Sequence, residues 1–109
     1  MKLLNEYEYK IPKIWFYEIK GVQDVATEEE IKTSKTLTTS RSKIFLETRA
    51  YLRQSLSTLF DLDPLKIPIN AHPEEPPSLL PSMGNISFRH CKNAITIIWH
   101  KSKKVIDIK

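Results

Sequence analysis

Mostly apolar residues recur at steps of three and four positions along the segment from Lys43 to Phe60. The recurring positions are Phe45, Arg49, Leu52, Leu56 and Leu59, and Leu46 and Ala50 widen the stripe. Residues at this spacing lie on one face of an α-helix, and such a face has to be covered by other parts of the chain. The helix is predicted to begin in the hydroxyl-rich cluster at 38–42 and to end before Pro64, because proline cannot continue a helix.

Strands are predicted both before and after this helix in the sequence. Lys13 to Ile19 is rich in β-forming residues and nearly continuous in apolar side chains, which favours a strand covered on both faces. Leu65 to Ile69 fits a short edge strand, since Pro68 removes a ladder donor. The final part of the chain predicts a meander of three short antiparallel strands, around Ile86 and Phe88, from Ala94 to Trp99 and from Val105 to Ile108.

Two further segments complete the predicted domain. Thr27 precedes the carboxylates at 28–30, which is typical of a helix start, and a short helix is expected to run to about Leu37. The stretch from Asn70 to Met83 contains four prolines and predicts an irregular surface loop. The prediction is therefore one α+β domain over residues 1–109, in which a small antiparallel sheet packs on a long helix.

Composition limits the class of protein. Of the 109 residues, 40% are hydrophobic and 28% are charged, which is typical of a folded globular chain. The longest apolar stretches, Ile14 to Tyr17 and Ala94 to Trp99, are too short to cross a bilayer, and the first residues lack the apolar region of a signal peptide. We therefore expect a cytoplasmic protein with no membrane partner. Cys91 is the only cysteine, which excludes an internal disulfide and a zinc finger.

Basic residues concentrate in two segments, although the net charge is only +4. One segment contains Lys32, Lys35, Arg41, Lys43, Arg49 and Arg53 against Glu47, and the other contains Arg89, Lys92, Lys101, Lys103, Lys104 and Lys109 against Asp107. This distribution fits either a solvated basic face or a site for a phosphate-bearing ligand. The sequence contains no helix-turn-helix spacing, zinc knuckle or aromatic RNA-binding strand that would indicate nucleic acid.

Segments near the carboxyl end resemble a known family when they are taken together at their spacing. The segment at 87–91, Ser-Phe-Arg-His-Cys, and the segment at 105–109, Val-Ile-Asp-Ile-Lys, are similar to the Asn-x-Ser-His-Ser and Gly-Ile-Asp-Ile-Glu motifs of surfactin-type (Sfp-type) 4'-phosphopantetheinyl transferases. Upstream, residues 45–53 resemble the family helix that carries Leu-x-Arg, and residues 74–76 lie where the family often has Gly-Lys-Pro. The resemblance covers residues 13 to 109 and implies the amino-terminal half of a pseudo-dimer of two α+β halves.

The activity that this resemblance implies is group transfer. The family moves phosphopantetheine from coenzyme A to a serine of an acyl or peptidyl carrier protein and releases 3',5'-ADP. Such a reaction needs Mg²⁺ at the pyrophosphate, cations at the 3'-phosphate and a base for the serine hydroxyl. Because coenzyme A lies between the two halves in the family, we expect a second chain, or a second copy in a homo-oligomer, to complete the site.

Five residues are candidates for this site. His90 matches the family histidine that contacts a coenzyme A phosphate, and Asp107 matches the magnesium-binding aspartate. Arg41 and Lys43 lie in the segment where the family places cationic contacts, and Arg89 offers a planar guanidinium for phosphate. Taken alone, Asp107 fits a structural cap better than a metal ligand, whereas His90 and Arg89 fit ordinary strand roles as well as phosphate contacts. The resemblance predicts that His90 and Asp107 project from neighbouring strands into one pocket beside the long helix.

Departures from the family motifs keep a second hypothesis open. Lys109 replaces a second magnesium carboxylate, and Glu75 replaces a lysine that meets phosphate. Cys91 replaces a serine, Val105 replaces a glycine, and no residue of the chain is assigned as the catalytic base. The alternative is a non-catalytic or degenerate module that binds an acidic partner, either a carrier protein or a nucleic acid.

Two structural expectations accompany these functional ones. Arg49 and Arg53 are expected to pair with Glu47 or to lie at the core edge. The sheet face that meets the second half is buried in full-length members of the family, so a lone half would expose an apolar patch. Candidates for that patch are Ile95, Ile97 and Trp99.

Overall fold

The computed structural model describes residues 12–21, 25–70 and 77–101. The predicted α+β class is confirmed, because the described part consists of two helices and a three-stranded antiparallel sheet. In chain order the elements are β1 (Lys13–Glu18), α1 (Glu28–Ser34), α2 (Thr39–Phe60), β2 (Asn85–Cys91) and β3 (Ala94–His100). Two short 3₁₀ helices are also present: Pro64–Lys66 precedes the proline-rich stretch, and Pro81–Met83 forms its last three residues.

The long helix α2 has the boundaries that its sequence signals predicted. Thr38 is the N-cap, and its side chain accepts a hydrogen bond from the backbone N–H of Arg41. At the other end, Asp61 adopts the left-handed conformation with φ of 56° and donates its backbone N–H to the Ser57 carbonyl. A left-handed residue of this kind commonly ends a helix, and Pro64 follows three positions later.

The shorter helix α1 begins with a capping box. The Thr27 side chain accepts a hydrogen bond from the Glu30 backbone N–H at 3.1 Å, and the Glu30 carboxylate accepts one from the Thr27 backbone N–H at 3.0 Å. These reciprocal bonds satisfy two amide donors that the first helical turn leaves without partners. The helix ends at Ser34, earlier than the predicted end near Leu37.

The sheet has the strand order β1-β3-β2, so β3 is the central strand. Its inward-facing residues are buried against α2, and the edge-to-face contact between Trp99 and Phe60 joins the two layers with ring centroids 6.0 Å apart. The prediction of an exposed patch was therefore wrong for its three candidates, which were Ile95, Ile97 and Trp99. Side chains alternate across a strand, and these three lie on the face that α2 covers.

Only one face of β1 is covered, contrary to the prediction of a strand buried on both faces. Trp15 and Tyr17 pack against the core, whereas Ile14 and Phe16 are 63% and 67% exposed on the opposite face. A continuous apolar run does not by itself distinguish a strand covered on both faces from one covered on a single face. The exposed apolar side chains of β1 therefore lie on the outer face of the sheet.

The predicted edge strand from Leu65 to Ile69 is also wrong. Its first residues belong to the 3₁₀ helix Pro64–Lys66, which the Asp63 side chain caps by accepting a hydrogen bond from the Leu65 backbone N–H. The Ile67 carbonyl of this segment accepts a hydrogen bond from Nη1 of Arg53 in α2 at 2.7 Å, and no described strand pairs with the segment. The third predicted strand, Val105 to Ile108, and residues 71–76 of the predicted loop lie outside the described residues.

A close contact fixes the start of β2. Gly84 has a φ of +95°, and a Cβ atom at this position would lie 2.6 Å from Nε1 of Trp99. That indole nitrogen donates a hydrogen bond to the Met83 carbonyl at 2.7 Å, which holds the ring in place. Glycine is required here for its conformation and for the space that it leaves.

We expect Gly84→Ala to destabilise the protein more than Gly21→Ala, which is the matched control. Both glycines have positive φ, so both substitutions carry a backbone cost of about 1–2 kcal/mol. Only at Gly84 would the new Cβ meet other atoms, since nothing lies within 4 Å at Gly21. Overpacking should add about 1–3 kcal/mol at Gly84. Urea unfolding measures both variants, and equal losses would contradict this account of the Trp99 contact.

Glu47 ties the chain after β1 to helix α2. Its carboxylate accepts hydrogen bonds from the backbone N–H groups of Lys20 and Gly21, at 2.6 and 2.9 Å. The hydroxyl of Tyr51 donates a further bond to it at 2.7 Å. Burial, together with this bond and the negative charge of Glu47, raises the pKa of Tyr51 to about 12.

This shift predicts a loss of stability in alkali. Because the pKa of Tyr51 is 10.0 when unperturbed and about 12 in the folded chain, its contribution is fully present below pH 10 and lost as the pH rises toward 12. Tyr51→Phe cannot ionise and should lack this component. Urea unfolding across that range should show the wild type losing free energy of unfolding relative to the variant, whereas parallel curves would contradict the prediction.

Candidate functional site

A pocket of about 290 Å³ lies between the amino-terminal half of α2 and strand β2. It is lined by Leu37, Arg41, Ile44, Phe45, Thr48, Arg49, Pro77, Phe88 and His90. The lining combines two guanidinium groups, an imidazole and a hydroxyl with aliphatic and aromatic walls, and no carboxylate of the described residues belongs to it. A pocket of this composition suits an anion that carries an apolar or ring-shaped part.

Helical spacing gathers one side of the pocket. Arg41, Ile44, Phe45 and Thr48 follow one another at the three- and four-residue steps that place side chains on one face of α2. The opposite wall comes from β2, where Phe88 and His90 are two positions apart and so point to the same side of the sheet. The pocket therefore forms where the face of α2 that carries Arg41 meets the inner face of β2.

His90 is held by two neighbours. Its Nε2 atom lies 3.1 Å from Oγ1 of Thr48, at hydrogen-bond distance. The ring also meets Phe88 edge to face, with centroids 5.8 Å apart. These contacts direct the imidazole toward the helix, although His90 remains solvent-exposed.

Arg49 is a buried cation in the pocket wall. It donates a hydrogen bond to the Asn70 carbonyl, and its guanidinium lies over the ring of Phe45, 4.9 Å from the centroid. Burial lowers the pKa of Arg49, and the nearby Glu30 carboxylate opposes that shift. Arginine remains charged in proteins even so, and a positive charge is therefore fixed in the wall.

The counter-ion of this region is Glu30, which is fully buried. Arg53 binds both of its carboxylate oxygens, with Nε 2.9 Å and Nη2 3.0 Å away, and Arg49 lies 3.8 Å from Oε2. The sequence predicted that the two arginines pair with Glu47 or lie at the core edge. Both arginines are buried, and Glu47 is not their partner, because backbone amides and Tyr51 already occupy its carboxylate.

The structure brings together some of the predicted site residues. Arg41 and His90 both line the pocket, whereas Lys43 is exposed on α2 and does not line it. Arg89 is exposed on the outer face of the sheet, since it alternates with Phe88 and His90 along β2. Asp107 lies outside the described residues, so its place near His90 stays a prediction. The same holds for Glu75, Val105 and Lys109.

Sequence reasoning missed several pocket residues. Thr48 was not a candidate, although it lies seven positions after Arg41 and hence two turns along the same helix face. Phe88 lies two positions before His90, so strand alternation placed it on the same side. Both signals were present in the sequence. Their meaning depended on knowing that this face of α2 packs against β2.

The described residues offer no magnesium site. Within the ranges 12–21, 25–70 and 77–101, no three histidine, cysteine, aspartate or glutamate side chains form a group that could hold a metal ion. The described lining presents cations, which repel Mg²⁺, and none of the carboxylate oxygens that Mg²⁺ prefers. The described part of the pocket therefore does not fit the metal that the family resemblance implies, and we derive no chemical step through it.

Comparisons with protein-family models, with curated proteins and with solved structures found no match. Among the described residues, no helix is long and apolar enough to cross a membrane. The functional argument therefore depends on the geometry of the pocket and on the motif resemblance.

We expect Glu30→Gln to destabilise the fold by about 3–5 kcal/mol, because it leaves Arg53 and Arg49 buried without their anion. Glu29→Gln is the matched control, since it removes the same charge from an exposed position in the same helical turn. That change should cost no more than about 0.5 kcal/mol. Urea unfolding measures both variants. A small loss for Glu30→Gln would show that the buried carboxylate is not needed.

Proposed function

We propose that this chain is a half-domain of the 4'-phosphopantetheinyl transferase type, whose pocket between α2 and β2 binds the phosphate groups of coenzyme A. Transfer of phosphopantetheine to a carrier-protein serine would require a second chain. The observation that carries the proposal is the convergence of Arg41, Arg49 and His90 in one pocket. Two of these, Arg41 and His90, are positions at which the family resemblance predicted coenzyme A contacts.

Charge favours an anionic ligand in this pocket. Glu30 offsets one of the two buried guanidiniums beside it, so the Glu30, Arg49 and Arg53 group keeps a net positive charge. Arg41 adds a second positive charge at the pocket, and within the ranges 12–21, 25–70 and 77–101 no carboxylate lines the pocket to oppose it. Thr48 and His90 offer further hydrogen-bonding groups next to these cations. This set matches the acceptor oxygens of a phosphate group.

The apolar walls favour a phosphate that belongs to a larger molecule. Leu37, Ile44 and Pro77 line the pocket together with the rings of Phe45 and Phe88. A free inorganic anion would gain nothing from these side chains, whereas a nucleotide places a planar base close to its phosphates. Coenzyme A carries an adenine ring next to a 3'-phosphate and a pyrophosphate, and so fits both parts of the lining.

The described residues would bind and orient coenzyme A, which is the donor of the phosphopantetheine group. In the proposed transfer, the serine oxygen of the carrier protein attacks the phosphorus that carries the pantetheine arm. The bond from that phosphorus to the 3',5'-ADP leaving group then breaks. Positive charge in the pocket would stabilise the charge that develops on the leaving phosphate. The serine proton needs an acceptor, which is assigned to no described residue and is expected from the second chain.

The first test is calorimetric titration with coenzyme A, together with dephospho-coenzyme A, which lacks the 3'-phosphate. Arg41→Ala should raise the dissociation constant of coenzyme A by about tenfold or more, because a charge-assisted hydrogen bond is lost. Arg89→Ala is the matched control, since it removes the same charge from the outer face of the sheet. That variant should bind coenzyme A like the wild type.

Several results would overturn the proposal. If Arg41→Ala and Arg89→Ala weakened coenzyme A binding equally, the attraction would come from the overall positive charge and not from the pocket. If coenzyme A did not bind at all, the pocket would be excluded as a coenzyme A site. Binding of an acidic carrier protein or a nucleic acid that falls steeply with salt and ignores coenzyme A would favour the non-catalytic binding module instead.

A further inference from the structure

Strand β1 is an edge of the described sheet that has no evident protection. It hydrogen-bonds β3 on one side, and no other described strand pairs with it. Its six residues contain no proline, glycine or bulge, and its charged residues stand only at the ends, Lys13 and Glu18. Edge strands usually carry such features because an open edge is a template for another strand.

Space for a partner lies beside this edge. A groove of about 440 Å³ runs along β1 next to α2, lined by Phe16, Tyr17, Glu18, Lys20, Tyr51 and Gln54. Additional apolar surface adjoins it on the outer face, where Ile14 and Phe16 are the most exposed large hydrophobic residues of the described chain. An exposed hydrophobic strand edge of this length favours strand addition.

The backbone hydrogen bonds show which residues face the free edge. Ile19 donates its N–H to the Asn93 carbonyl at 2.9 Å, in the register that places Lys13 opposite Trp99. Antiparallel bonding alternates at every second residue, so odd-numbered residues direct their backbone groups toward β3. The even-numbered residues Ile14, Phe16 and Glu18 therefore direct theirs outward. The Glu18 carbonyl already accepts a hydrogen bond from the Tyr51 hydroxyl, so Ile14 and Phe16 are the residues that offer their backbone groups to a partner strand. Their side chains lie on the outer face of the sheet.

We propose that β1 pairs antiparallel with β1 of a second copy of this chain, across a two-fold axis that passes beside Trp15. The two three-stranded sheets then form one continuous sheet. In this register Ile14 of each copy lies opposite Phe16 of the other copy, so the pair occurs twice. Both residues direct backbone groups toward the partner, so each pair exchanges two hydrogen bonds.

The sequence of β1 selects this register over the neighbouring one. Symmetric pairing requires residues of the same sheet face to lie opposite each other, so the axis must pass beside a residue. Axes at Trp15 or at Phe16 pair the most residues of the six-residue strand. An axis at Phe16 places Ile14 opposite Glu18, which leaves a carboxylate against an apolar side chain. The axis at Trp15 matches all four exposed apolar side chains with one another. Cross-strand apolar pairs of this kind stabilise antiparallel sheets.

The dimer does not depend on the coenzyme A proposal, because no residue of β1 lines the pocket between α2 and β2. Pairing of two short strands buries less surface than the roughly 1,200–2,000 Å² of a standard stable interface. We therefore expect a dimer that dissociates on dilution.

Sedimentation velocity over a concentration series tests the dimer in the full chain. Phe16→Lys should raise its dissociation constant by at least about tenfold, because two-fold symmetry places the new charge in the interface twice. Leu65→Lys is the matched control, because its side chain is 50% exposed and belongs neither to β1 nor to the lining of the groove, and it should leave dimerisation unchanged. Circular dichroism verifies that both variants are folded. A strict monomer, or equal weakening by both changes, would overturn the proposal.

Disulfide cross-linking tests the register. Cys91 is the only cysteine and is exposed, so Cys91→Ser provides a background without thiols. In that background, Ile14→Cys mixed with Phe16→Cys should give a cross-linked heterodimer, since opposite residues lie about 5.5 Å apart between Cα atoms. Faster cross-linking of Phe16→Cys with itself would overturn the Trp15 register. Coenzyme A binding by Phe16→Lys separates the two proposals, because that variant should keep wild-type affinity.

Discussion

The buried carboxylate of Glu30 links most of the parts on which the pocket depends. It belongs to the capping box of α1 and also binds Arg53 of α2, so a single side chain fixes how the two helices lie together. Arg53 in turn binds the carbonyls of Pro64 and Ile67, which anchors the turn after α2. A buried anion has to be paired to be tolerated, and the pairing here organises three segments of chain.

The same ion group supplies the pocket with a fixed cation. Arg49 lies near Glu30 and is stacked on Phe45, so its guanidinium needs little reorganisation to meet an anion. His90 is oriented from the other wall by Thr48. The pocket is thus built between a helix face and a strand face that are each rigid elements, which favours a preorganised binding site over a surface patch of mobile lysines.

The two faces of the sheet have separate roles. The inner face closes the core against α2 and provides Phe88 and His90 to the pocket. The outer face carries Arg89 and the exposed side chains of Ile14 and Phe16. Because side chains alternate along each strand, one short sheet can form a ligand pocket on one side and an association surface on the other.

The sequence by itself determined the elements whose signals are local. The α2 boundaries followed from Thr38 and Pro64, the start of α1 from Thr27 and Glu30, and the β2–β3 hairpin from alternation around the break at 92–93, because capping and periodicity act between neighbours in the chain. Only the tertiary structure decided which strand face is covered, that Glu30 and not Glu47 pairs with Arg53, and that Thr48 meets His90. Those choices depend on contacts between residues far apart in the chain, whose relative placement no local pattern specifies.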